Sequence, residues 1–278
     1  MTTTDKLARV HEQLTAAIDE LVSGEDWTRF LEASRKLHTY SPNNVLLIMT
    51  QRPTATAVAG YRTWQSLGYQ VRRGEKGIAI LAPVVTRRRP ADEDDEQEQP
   101  ELVRILRGFR VVHVFDIGQC DGPPLPDLQP VLLTGDAPTA LWDLLTGQVE
   151  AAGFTVKRGP CPGANGRTSF GSKTVRVRDD VEPAQAVKTL AHEFAHVLLH
   201  DGSEYAQGCR GRAEVEAESV AYLILSTAGL EPGAYSFPYV AAWSGGQPEL
   251  VTATADRVIS CARRVIDAIG LRPADCAA

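Results

Sequence analysis

No apolar run in this 278-residue sequence approaches the ~18 residues that a membrane-spanning helix needs, so a transmembrane helix is not expected. Met1 to Lys6 offers no basic start followed by an apolar core, so neither is a secretory signal. The five cysteines, Cys120, Cys161, Cys209, Cys261 and Cys276, are odd in number and form no Cys-x-x-Cys pair. That argues against a disulfide framework and against a cysteine-ligated zinc knuckle. Reduced thiols in a cytoplasmic chain are the expectation. No carboxylate cluster suits a pair of Mg²⁺ ions, which weakens a nuclease reading. No internal repeat is present. Excess positive charge is also lacking: the formal net charge is −6.

What remains is globular composition, 43% hydrophobic and 23% charged, at a length that suits two domains. Leu7, Val10, Leu14, Ile18 and Leu21 recur at helical spacing, Gly24 interrupts, and Trp27, Phe30, Leu31 and Leu37 continue a second stripe. Val45–Met49 reads as a short buried helix, and Tyr61–Leu67 as another, closed by Gly68. Ile78–Val84 and residues 103–116 read as antiparallel strands. The arginine and acidic run at about 86–101 between them reads as a disordered hairpin tip. A linker is expected at 122–137, around Gly122-Pro123-Pro124. Beyond it come a helix near 137–153, a strand at 154–156, a glycine-rich turn region at 159–171 and a strand at 174–177. Helices are expected near 183–200, 214–228 and 253–269. The fold class is α+β: a helical, small-sheet domain over 1–125, then a mostly helical domain with a small antiparallel sheet over 137–278.

The strongest chemical signal is His192-Glu193-Phe194-Ala195-His196. Histidines four residues apart lie roughly 40° apart around a helix, so both imidazoles point one way, as two Zn²⁺ ligands must. Glu193, beside the first histidine, is placed to act as general base on a water at the metal. A catalytic zinc wants a third protein ligand, and Glu214 and Glu218 form a second i,i+4 pair on a later helix. One carboxylate can bind the metal while the other accepts the N–H of a ligand histidine. Glu216 points about 160° away from that pair. His200 is expected at the helix C-terminus, interacting with the last carbonyls rather than with the metal.

His192-Glu193-x-x-His196 followed by Glu214-x-Glu216-Ala217-Glu218-x-x-Ala221 resembles the gluzincin-type metallopeptidases of the ImmA/IrrE kind. The resemblance covers about 137–230. It implies one Zn²⁺ per chain held by His192, His196 and Glu214, with Glu218 supporting a ligand. Glu218 stands where those proteins usually carry Asp or Asn, so the two glutamates could exchange roles. Tyr205, Tyr222 and Tyr235 are candidates to stabilise an oxyanion.

The N-terminal half departs from the average charge. Between Arg29 and Arg89 there are eleven basic residues and only Glu32 and Glu75 as acids. Trp27, Phe30, Tyr40, Tyr61, Trp64 and Tyr69 are interleaved with them. A positive surface with stacking platforms is what single-stranded nucleic acid requires. Asn44–Leu47, Gly60–Trp64, Val71–Ile78 with its Arg73-Gly74-Glu75-Lys76-Gly77 turn, and Val114–Gln119 resemble the N-terminal domain of ArdC-type antirestriction proteins. This match spans about 5–122 and, with the peptidase-like half, reproduces that family's domain order. It implies binding of single-stranded DNA, here through Arg62, Arg72, Arg73 and Lys76 for phosphates and Tyr61 and Trp64 for stacking. The protein or peptide substrate is not legible, and no membrane partner is implied. Two alternatives stand beside this reading. One is a non-catalytic single-stranded-DNA-binding protein with a structural or silent zinc site. The other is a regulatory peptidase that cleaves a specific DNA-bound protein.

Overall fold

The computed structural model describes residues 3–21, 24–88, 103–123, 137–200, 210–230 and 247–271. The expected hairpin tip therefore lies almost wholly outside the described residues, as does most of the linker. The helices are α1 (Thr3–Asp19), α2 (Gly24–Lys36), α3 (Pro42–Gln51), α4 (Tyr61–Ser66), α5 (Ala137–Ala151), α6 (Pro183–Leu199), α7 (Arg210–Thr227) and α8 (Pro248–Ala268). The strands are β1 (Val58–Gly60), β2 (Gln70–Val71), β3 (Ile78–Arg88), β4 (Val103–Asp116), β5 (Cys120–Asp121), β6 (Thr155–Arg158), β7 (Gly166–Ser169) and β8 (Thr174–Val177). None of the helices is long and apolar enough to cross a membrane.

Two compact units are present. The first comprises the chain up to Ala17 and Leu46–Pro123; the second comprises Ile18–Val45 and the chain from Pro124 on. The sequence suggested a division near 122–137, yet Ile18–Val45 groups with the C-terminal part. The cause is visible at Trp27 of α2. Its side chain is fully buried, and its indole Nε1 donates to Ser219 Oγ of α7 at 2.8 Å.

In the first unit the sheet order is β1-β4-β3, all antiparallel, beside a small β2–β5 pair. Alternation along β3 and β4 buries Ile78, Ile80 and Val114. Strand β3 runs to Arg88, so Thr86, Arg87 and Arg88 belong to the ladder rather than to the expected loop. Asp116 closes β4. Its buried carboxylate accepts the backbone N–H of Thr56 (2.9 Å) and Gly118 (2.9 Å) and the Nε of Arg52 (3.2 Å). Gln119 completes this lock by accepting from Asp116 N and donating to Glu75 Oε2 and Lys76 O.

In the second unit α6, α7 and α8 carry the core. Leu190, Ala195, Val215, Ala221, Ile224 and Val258 are fully buried. The sheet order is β6-β8-β7, with β6 parallel and β7 antiparallel to β8, so it is mixed rather than purely antiparallel. Strand β7 falls inside the segment expected to be only glycine-rich turn. It is held by ladder bonds to β8 that no local pattern signals.

Candidate metal centre

One turn of α6 brings His192 and His196 together, their Nε2 atoms 3.0 Å apart. From α7, Glu214 Oε2 stands 3.4 Å from His192 Nε2 and 3.9 Å from His196 Nε2. The ligand atoms of these three residues all lie within 4.8 Å of one another. Two imidazole nitrogens and one carboxylate converging on a point are the donor set of a divalent-cation site. Glu218, one turn along α7, does not join them. Its Oε2 instead meets His192 Nδ1 at 2.9 Å, and its Oε1 pairs with Lys188 Nζ at 3.2 Å.

Each histidine has a partner behind it. With Glu218 accepting from Nδ1–H, His192 presents the Nε2 lone pair forward. Behind His196 stands His200, Nδ1 to Nδ1 at 2.9 Å. His200 Nε2 reaches Glu216 Oε2 at 3.0 Å, and both of these side chains are fully buried. In the tautomer in which His200 donates from Nε2 to the Glu216 carboxylate, its Nδ1 is the acceptor. His196 must then donate from Nδ1, which turns its Nε2 lone pair toward Glu214. Glu216 is itself balanced by Arg257 (3.3 Å) and Arg212 (3.7 Å). The sequence reading sent Glu216 away from the metal and His200 toward the helix carbonyls. His200 stands directly behind the second histidine, and Glu216 stands behind His200. The pairing spans 16 residues and no spacing rule signals it.

Glu193 faces the same opening. Thr168 Oγ1 of β7 lies 2.7 Å from its Oε2 and 3.2 Å from its carbonyl oxygen. Gly166 makes this approach possible: a Cβ there would stand 2.5 Å from Thr189 Cγ2 and 2.8 Å from Glu193 Oε1. Neither Thr168 nor Gly166 was legible, because both sit on the unexpected strand. A cleft of about 780 Å³ opens over the cluster, lined also by Arg167, Phe170 and Lys188. Of the candidate tyrosines, Tyr222 is buried and donates to Glu32 at 3.3 Å. Tyr205 and Tyr235 lie outside the described residues.

The electrostatics separate the groups. Burial disfavours charge on His192, but hydrogen bonds to Glu214 and Glu218 outweigh it and push its pKa up to about 9. Burial, reinforced by the charge of His192, drives His196 down to about 3. Burial also raises the Glu193 carboxyl above the usual range, against the opposing bond from Thr168. Glu218 is held low: burial opposes this, but the His192 bond and the charges of His192 and Lys188 prevail.

In the first unit, Tyr61, Arg62, Arg73 and Lys76 are exposed. Trp64 is not: it is 3% exposed, packs with Tyr69 and Val71, and donates its Nε1 to Phe115 O at 2.8 Å. Its ring is core, so it offers no stacking face. Arg72 is tied to Glu75 at 3.0 Å, to Asp121 at 3.5 Å and to the Gly118 carbonyl. It fixes the 72–77 turn against the 117–119 turn.

Residues 4–115 match the family described as the N-terminal domain of anti-restriction factor ArdC. Residues 149–244 match the IrrE N-terminal-like domain of the M78 peptidases. The chain is therefore ArdC-like in domain order. An uncharacterized protein of Bacillus anthracis is 24% identical over 258 residues, covering 80% of this chain and 44% of that protein. An uncharacterized protein of Sinorhizobium fredii is 32% identical over 148 residues, covering 47% of this chain and 46% of that one. The chain thus spans less than half the length of these relatives. Among solved structures, the metal-free crystal structure of antirestriction ArdC from plasmid R388 has the same fold. Its TM-score is 0.53 at 18% identity, over 84% of this chain and 87% of that one.

Proposed function

We propose that this ArdC-like chain is an antirestriction protein whose first unit binds single-stranded DNA and whose second unit hydrolyses peptide bonds. The observation that carries the peptidase half is the convergence of His192, His196 and Glu214 beside a buried Glu193 at the floor of a cleft. Those three residues would hold one divalent cation, Zn²⁺ by donor type, although the same donors accept other first-row metals. When bound, the cation supplies Lewis acidity, lowering the pKa of a water and polarising a carbonyl. Glu218 orients His192, and His200 with Glu216 orients His196. Thr168 holds Glu193 Oε2, so the proton that Glu193 takes from water goes to Oε1. The raised pKa of this carboxyl suits it to give the proton on to a leaving amine. The DNA-binding half is supported by the basic excess of residues 46–89, the part of the basic stretch that lies in the first unit, with eight basic residues against Glu75, and by the match to the ArdC N-terminal domain.

Glu193→Gln tests the enzymatic reading. The metal-loaded variant should keep its cation and lose at least ~10²-fold in cleavage of a denatured protein, assayed with and without single-stranded DNA. Equal cleavage by wild type and variant would overturn the role of Glu193. No cleavage by the metal-loaded wild type under either condition would favour a DNA-binding protein with a silent metal site.

A further inference from the structure

We infer that the second unit selects substrates with an aspartate or glutamate beside the cleaved bond, and that Arg167 reads this residue. The inference rests on the peptidase reading above and names the kind of segment that the cleft takes. Strand β7 forms one wall of the cleft, with α6 and α7 supplying the other side. It is the last strand of its sheet, paired with β8 on one edge and with no further strand among the described residues on the other. The Asn165 carbonyl accepts from the Arg178 N–H at 2.9 Å, which sets the phase of the ladder. By alternation, Arg167 and Ser169 turn their backbone groups to β8, and Gly166 and Thr168 turn theirs to the open edge. These are the two residues that meet Glu193, Thr168 through its hydroxyl and Gly166 by lacking a side chain. An open strand edge beside a general base is a place where an extended peptide can add as a fourth strand.

Such a segment places its side chains alternately on two faces. Those beside Gly166 and Thr168 turn inward, toward Glu193 of α6. Those beside Arg167 turn outward, where a row of cations already stands. Lys157 of β6 pairs with Arg176 of β8, and Arg176 pairs with Arg167. Burial identifies the face: Val175 and Val177 are buried, Arg176 between them is not, and Lys157 and Arg167 are exposed. The same face of the ladder otherwise carries Thr155, Thr174 and Ser169, so the strands place no acid on it. Over residues 154–182 six basic residues stand against Asp179, Asp180 and Glu182, and Asp180 is held by Arg178 at 2.7 Å. Arg167 lines the cleft and forms no ion pair among the described residues, whereas Lys188, also lining it, is paired with Glu218.

The residue of an added strand that faces Arg167 is the fourth in this row. Because Arg167 bonds to β8, its pair with an antiparallel segment is of the non-hydrogen-bonded kind, in which Cα atoms approach to about 4.5 Å and side chains lie closest. A carboxylate there meets Arg167 and relieves its repulsion from Arg176, whereas a lysine or arginine extends that repulsion. The next residue of the segment lies level with Thr168, and so with Glu193, which puts the acid within about two residues of the cleaved bond. Position and backbone pairing select a peptide, and charge selects only its side chain. A nucleic acid has no amide edge to pair with Gly166 and Thr168.

The test gives the full metal-loaded chain, and its Arg167→Ala and Arg167→Glu variants, a peptide mixture from a denatured proteome, with the cleaved bonds read by mass spectrometry. The wild type should favour Asp or Glu at one fixed position near the bond, roughly threefold over Ala, as an opposite-charge cross-strand pair gives. Arg167→Ala should lose the preference, and Arg167→Glu should turn it to Lys or Arg. Misfolding cannot produce such a reversal. A second readout needs no turnover. On the Glu193→Gln chain, a labelled peptide of about eight residues centred on Glu should bind roughly threefold tighter than its Lys counterpart by anisotropy, and adding Arg167→Ala should erase the difference. Cleavage with no acidic preference, cleavage with the same preference in both variants, or equal binding of the two peptides overturns the assignment and leaves the peptidase standing. No cleavage by the wild type overturns the peptidase reading and the inference that rests on it. An unchanged cleavage preference with weakened oligo-dT binding by Arg167→Glu would assign the row to nucleic acid instead.

Discussion

Gly166 and Thr168 set the position of Glu193, and the chemistry assigned to Glu193 depends on that position. Gly166→Ala puts a Cβ 2.8 Å from Glu193 Oε1 and 2.5 Å from Thr189 Cγ2, so the carboxylate must move. The expected outcome is a fall in kcat of roughly 10²-fold with the metal still bound, because a misplacement of about 1 Å costs about that much. Steady-state kinetics paired with metal analysis reads both. His192 supplies a pH prediction. Its pKa rises from 6.5 to about 9, so without a cation its hydrogen bonds to Glu214 and Glu218 contribute stability that is full below 6.5. That contribution is lost as pH rises through 9. His196, held near 3, is neutral across this window. Chelator-treated protein should therefore lose stability in denaturant titrations between pH 6.5 and 9. Metal uptake at about pH 7 should release about one proton, measurable by calorimetry in buffers of different ionisation enthalpy.

At the scale of elements, the site is a meeting of α6, α7, α8 and β7. Helix periodicity made part of it readable. Two histidines four apart, and two glutamates four apart, must share a face, so the sequence alone could group them. The rest depends on tertiary pairing. His200 meets Glu216 from another helix, Arg257 of α8 reaches Glu216 and the Leu199 carbonyl, and Thr168 comes from a strand with almost no local signal. Trp64 misled for the same reason. An aromatic among arginines reads as a stacking platform, but its neighbours Tyr69, Val71 and Phe115 make it core. The His196–His200–Glu216 line carries its own prediction. His200→Ala should lower metal affinity about 10- to 100-fold, read by competition with a chromophoric chelator. An unchanged affinity would mean that His200 only fills space.

Over the whole molecule, the cluster of candidate metal ligands lies in the second compact unit, and the sequence order of the two units is interleaved. Net charge conceals a further unevenness: −6 overall contains a strongly basic stretch at residues 29–89, which runs through parts of both units. Two-domain order was readable because each half carries its own motif. The assignment of Ile18–Val45 to the second unit was not, because it rests on Trp27 reaching Ser219 across 192 residues. The proposed function rests on one divalent cation held by His192, His196 and Glu214, whose ligand atoms all lie within 4.8 Å of one another. Elemental analysis of the purified wild type beside His192→Ala/His196→Ala measures this directly. About one cation per chain in the wild type and none in the double variant is the predicted result. A wild type that takes up no metal on titration, or a double variant that holds as much as the wild type, would contradict it.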